Sequence, residues 1–169
     1  MRSNERVRGL TRAMALPLLL LAGSVHAANC TVSTPGIAFG GYDPVTGAVV
    51  NGMSTVRVNC TNLDFIETFV GVGVTVAADG GGSGNQLIRR MSGPPGSQMF
   101  YNLYVSPPPS GAIWGNGTGG TQQLGGTVGG LFTGQPNPRT FPVHGQINAG
   151  QSDLVVGSYS DQVTVTITF

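Results

Sequence analysis

Apolar and polar side chains alternate with a period of two in most stretches where any period is visible, the mark of strands with one buried face. Thr55–Cys60 (TVRVNC) alternates in this way, and so does Val70–Val76 (VGVGVTV). Phe100–Val105 is aromatic and β-rich, and Thr140–Ile147 predicts a further strand. Pro142 within the latter argues for an edge position or a bulge, because proline cannot donate to a ladder. Gln162–Phe169 has the cleanest pattern, with Val163, Val165, Ile167 and Phe169 on one face and polar residues on the other. No window predicts a sustained, capped helix. Clusters of Gly, Ser, Asn and Pro at 79–85, 92–97, 106–111 and 115–130 separate these stretches. Punctuation at intervals of about ten residues predicts a single antiparallel β-sandwich. The Gly-rich stretch 115–130 is read as a loop and not a linker. The short remainder after it would need its own disulfide or metal to fold alone.

The first residues follow a different logic. Arginines crowd positions 2–12, Ala13–Ala22 form an apolar run, and Val25 and Ala27 stand at −3 and −1 of a cut before Ala28. This layout predicts a secretory signal peptide over residues 1–27 and a mature domain over 28–169. The run is about half the roughly 20 residues that span a bilayer, so no membrane span is predicted. Export leads to the periplasm, then to the cell surface or the medium. It also makes Cys30 and Cys60, an even pair in an oxidising compartment, a structural disulfide. Closing that loop is worth about 3.5 kcal/mol in the chain-entropy account.

Composition narrows the function. The chain holds 28 Gly and 11 Pro, and only 9% of its residues are charged. Beyond residue 27, Arg57, Arg89, Arg90 and Arg139 face six acids, a net charge of −2. Without a basic patch, sequence-independent nucleic-acid binding is excluded. The absence of Lys excludes a P-loop and Schiff-base chemistry. Gly115, Gly117 and Gly120 satisfy G-x-G-x-x-G, but no helix opens at that turn. Gly81–Gly84 hints at a calcium-binding repeat, yet there is one copy without the motif's Asp, and it reads as a flexible hairpin tip. His144 with Ser152 and Asp153 lacks a nucleophile elbow, so His144 reads as an ordinary strand residue. Asp43 and Asp161 read as residues whose carboxylates bond nearby N–H groups, and Trp114 reads as a core or loop anchor. The N-x-T sequons at Asn29, Asn59 and Asn116 carry little weight. No catalytic residue, cofactor or metal site is predicted, and nothing argues for an enzyme.

Several stretches together carry a resemblance: Asn29–Ser33, Ile37–Pro44, Val58–Thr61, Arg90–Gly93, Tyr101–Tyr104, Ile113–Thr121, Phe141–Gln151 and Gly157–Phe169. In this order they resemble the spore coat protein U family of bacterial secreted proteins, which includes the pilin subunits of archaic chaperone–usher pili. The resemblance covers essentially all of residues 28–169. It implies an immunoglobulin-like sandwich lacking its last strand, with a hydrophobic groove filled by a segment of another chain, a form of β-strand addition. A periplasmic chaperone would lend that strand until an outer-membrane usher exchanges it for a neighbouring subunit's. The chain ending on its best strand is consistent with this, and such an open edge should aggregate when unpartnered. Val163, Val165, Ile167 and Phe169 would lie at the seam, and Tyr159 would be a corner tyrosine. Shaft pilins carry a donor segment before the first Cys, whereas only Ala28 and Asn29 precede Cys30 here. The expectation is therefore a tip-like or unpolymerised subunit. The alternative is a free-standing secreted adhesive or binding module. Its surface would be the loops at Pro94–Pro95, Pro107–Pro109 and 115–130, since loops on rigid scaffolds commonly bind.

Overall fold

The computed structural model describes residues 27–169, and the signal peptide expected over residues 1–27 lies, apart from Ala27, outside the described residues. Among the described residues the strands are β1 (Asn29–Ser33), β2 (Val50–Thr61), β3 (Val72–Ala78), β4 (Arg89–Ser92), β5 (Gln98–Tyr104), β6 (Leu124–Val128), β7 (Arg139–Ile147) and β8 (Val165–Thr168). They form two antiparallel sheets, one of five strands in the order β1-β2-β7-β5-β4 and one of three in the order β6-β3-β8. Alternation does what the sequence pattern demands: Val56, Val58 and Cys60 of β2 and Phe141, Val143 and Ile147 of β7 are buried. They form one core with Val72, Val74, Val76 and Ala78 of β3. The all-β sandwich is thus observed.

The expected disulfide is present. Antiparallel pairing sets Cys30 opposite Cys60, their Cα atoms 4.0 Å apart. Just ahead of β7, the side chain of Asn137 takes over the ladder. Its amide accepts from the Cys60 N–H at 3.1 Å and donates to the Cys60 carbonyl at 2.6 Å. Trp114 is core, 3% exposed, its indole N–H donating to the Val76 carbonyl at 2.9 Å.

Several elements differ from the sequence expectation. A short helix, α1 (Phe65–Val70), precedes β3. Asp64 caps it, accepting from the Glu67 N–H at 2.7 Å while the Glu67 carboxylate accepts from the Asp64 N–H at 2.9 Å. That reciprocal capping box stabilises a six-residue helix with no buried residue. Pro142 lies in β7, an interior strand. It is tolerated because β5 pairs only with His144–Ile147, leaving β2 as the single neighbour at Pro142. The stretch 115–130 is not one loop, for it contains β6. Its glycines fit a strand whose backbone is approached closely: a Cβ at Gly126 would fall 2.7 Å from the Arg139 guanidinium. Gly81–Ser83 is a 3-10 turn, not a free hairpin tip, and the Asp79 and Asp161 carboxylates accept from its N–H groups. Finally, β8 begins at Val165 and not at Gln162. The Thr164 N–H donates to the Asp79 carboxylate, where a strand would offer a carbonyl.

Candidate functional site

Three strands cannot cover five. At about 4.8 Å per strand, roughly 10 Å of the larger sheet's inner face is left without a facing strand. Part of that face is roofed by the chain itself. Gly52 and Gly145 are cross-strand partners on the inner face, and a Cβ on either would fall 2.6 Å from Ile37 or Phe39. The missing side chains make a recess that seats Ile37 and Phe39, whose ring also meets Tyr101 edge-on at 5.9 Å. The rest stays open as a groove of about 890 Å³. Met91, Met99, Leu103, Val143 and Ile147 contribute to its floor, the segments 34–44 and 154–163 with Val165 to its walls.

The second wall is held by polar contacts. The Tyr159 hydroxyl donates to the Val155 carbonyl four residues upstream at 2.7 Å and is bonded to Ser97 Oγ, the corner geometry expected of this tyrosine. Its ring lies where a Cβ on Gly93 would be, 2.3 Å from that position. Ser160 is bridged to Ser92 through both backbone bonds. Asp161 accepts from the N–H groups of Gly82 and Gln162 at 2.8 and 2.9 Å and from the Tyr101 hydroxyl at 2.6 Å. Burial, and then this bond to Asp161, pushes the Tyr101 hydroxyl well above the usual tyrosine range. Burial opposes ionisation of Asp79, but hydrogen bonds from Gly81 and Thr164 outweigh it and hold the carboxyl below its usual range.

Of the four predicted seam residues, Val163 and Val165 line the groove. Ile167 is half-buried against the core. Phe169 is 53% exposed and borders a separate shallow recess beside Gly73, Thr75 and Gly126. Among the described residues β8 pairs with β3 alone, so its other edge has no strand. Sequence reasoning missed the segment 34–44, the methionine pair Met91 and Met99, which are cross-strand partners, and the glycine recess. The apolar alternation of Ile37 and Phe39 was the available signal.

An exposed aromatic cluster lies on α1 and the turn that follows β6. Phe65 and Phe132 are each 79% exposed, with Ile66 and Leu131 close behind. Phe69 joins the two rings at 4.9 and 5.0 Å, and the N–H groups of Leu131 and Phe132 bind the turn to α1. His144 sits mid-strand opposite Met53 and Tyr104, while Ser152 bonds Asp153 at 3.3 Å. Asp43 accepts from the Val45 N–H at 2.9 Å, the local role expected of it. Among the described residues no group of His, Cys, Asp and Glu is placed to hold a metal, and no helix is long and apolar enough to cross a membrane.

A family model described as the Spore Coat Protein U domain matches residues 17–166, most of the chain. No curated protein matches it. A two-sheet, disulfide-bonded sandwich with that match over nearly its whole length belongs to the Spore Coat Protein U family, whose members are structural, pilus- and coat-related subunits and not enzymes.

Proposed function

We propose that this protein is a subunit of a bacterial surface fibre or coat that accepts a β-strand from another chain. The observation that carries the reading is the conjunction of a groove with an apolar floor and the unpaired edge of β8. An extended segment laid there would satisfy the free backbone groups of β8 and place alternate side chains on the groove floor, as β-strand addition requires. Val163 and Val165 form the seam itself and Ile167 continues the same face, while Phe169 stands apart at its own recess. Residues 1–27 direct export, and residues 28–169 form the sandwich, incomplete until the strand arrives. A periplasmic pilus chaperone supplies the first strand, and the outer-membrane usher exchanges it for one from a neighbouring subunit at the cell surface. After cleavage before Ala28 only two residues precede Cys30, and β1 already uses Asn29. Such a subunit receives a strand and has none to give, which supports a tip-like or unpolymerised subunit.

The test is periplasmic expression of the full chain with and without a pilus-type chaperone, measuring soluble monomer and the N-terminal mass. Soluble protein only as a chaperone complex, starting at Ala28, is the expected result. A stable monomer made alone overturns the acceptor reading. It would favour the second reading, a free-standing adhesive module, for which the exposed Phe65, Ile66, Leu131 and Phe132 cluster is the supporting observation.

A further inference from the structure

We propose that Ser54 sets the register of the strand entering the groove, by calling for a hydrogen-bonding side chain at one inward-facing position of that strand. The inference rests on the strand-acceptor reading. Ser54 is on β2, in phase with the inward-facing Gly52, Val56 and Val58, and contributes to the groove. Its hydroxyl is the one buried side-chain polar atom among the described residues without a hydrogen-bond partner. Its cross-strand partner is Val143, and Gly52 and Val56 flank it on its own face, so no side chain there offers a bond. Of the other hydroxyl and carboxylate groups on the groove, those of Tyr42, Tyr101, Tyr159 and Asp161 are already paired with one another or with the chain, and Thr34, Ser158 and Ser160 are exposed residues whose hydroxyls have water as a partner.

An orphaned buried hydroxyl is costly, and the cost is removed by supplying a partner. A wholly apolar occupant would seal the Ser54 hydroxyl in that state. A Ser, Thr or Asn side chain lying above it would instead accept or donate once the Ser54 hydroxyl turns into the groove. The consequence is positional. An alternating apolar strand fits such a floor equally well after sliding by two residues, because the side-chain period is two. One polar pair breaks that degeneracy, as a single buried polar residue fixes the register of a coiled coil. The occupant is therefore an extended segment of another chain, apolar at alternate positions except for one hydrogen-bonding residue.

The oxidised chain is refolded with synthetic alternating Thr/Val peptides about ten residues long, capped with Lys at both ends. One peptide has Val at every inward position, and each of the others has a single inward Val replaced by Thr, which differs by a hydroxyl for a methyl. Soluble yield, melting temperature and competition between peptides are read for the natural chain and for Ser54→Ala. One Thr peptide is expected to bind at least as tightly as the all-Val peptide, the rest about five- to tenfold more weakly. In Ser54→Ala the favoured peptide falls to the level of the rest, while the all-Val peptide binds as well as before, which shows that the variant's groove is intact. Equal weakening by every Thr, or a preference that survives Ser54→Ala, overturns the role of Ser54 and leaves the groove reading standing. Failure of every peptide to raise yield or melting temperature overturns the groove reading, and Ser54's role with it.

Discussion

Arg89 is the largest side chain with no exposed surface, yet every oxygen it bonds is uncharged. Its five N–H groups donate to the carbonyls of Asp79, Gln86 and Trp114 and to the Asn102 side chain, at 2.6 to 3.2 Å. The fork geometry of guanidinium makes this possible where an ammonium would leave acceptors unmet. Burial draws its pKa downward, and the negative fields of Tyr101, Asp79 and Asp161 resist that shift. Arg89→Leu removes all five bonds and strands three backbone carbonyls, so unfolding in urea should show a loss of about 3–5 kcal/mol. Two titrations follow from the same neighbourhood. Asp79 has a folded pKa below its unfolded value, so its stabilisation is present above the unfolded pKa, about 4, and is lost as pH falls through the folded one. Tyr101 has a folded pKa above its unfolded value, so its contribution is intact below about pH 10 and is lost as pH rises beyond that. Melting temperature against pH should decline at both ends; Asp79→Asn should flatten the acid limb and Tyr101→Phe the alkaline one.

At the scale of elements, the contrast between strand edges is informative. Arg139 reaches from the start of β7 to β6, donating to the Thr127 carbonyl at 2.6 Å and crossing Gly126. Charged side chains laid on an edge strand discourage pairing with other chains. At the opposite edge of the same sheet β8 has no such cover, since Thr164, Thr166 and Thr168 are the polar residues there. Arg139→Ala should therefore raise the fraction of oligomers formed by chaperone-free chain, read by light scattering at matched concentration, while an Arg139→Lys control stays close to the natural protein. The recess that seats Phe39 is equally specific. Gly145→Val places a side chain where Phe39 and Ile37 now sit, and overpacking of this kind costs about 1–3 kcal/mol. Loss of stability there, with increased proteolysis between residues 34 and 44, is the expected pair of readouts.

For the whole molecule, the disulfide ties β1 to β2 at the margin of the larger sheet. Asn137 supports the same residue from the other side. Cys30→Ser with Cys60→Ser should lower stability by about 3.5 kcal/mol, a large share of the roughly 5 kcal/mol of a marginal domain, so soluble periplasmic yield should fall sharply. The molecule is a lopsided sandwich, and the lopsidedness makes the groove. Fewer strands in one sheet than the other leave apolar surface that loop 34–44 and the Tyr159 corner confine but do not fill.

The sequence by itself determined the strand faces, the disulfide and the family. Period-two alternation is a local property, and Val56, Val58, Val74, Val76, Phe141 and Val143 needed only their neighbours in the chain to be assigned inward. The expectation of export paired the cysteines without geometry. The capping box of Asp64 and Glu67 was equally legible, but six residues are too few to register as a helical period. Strand order, by contrast, depends on contacts between residues far apart in sequence. That β7 is interior at its Ile147 end and exposed to one side at Pro142 follows from how far β5 extends. That Ser54 has no partner, that Gly52 and Gly145 adjoin, and that Val165 faces a groove while Phe169 does not, are decided only when the two sheets close on each other. Alternation says which face is buried; packing says against what, and where nothing is packed.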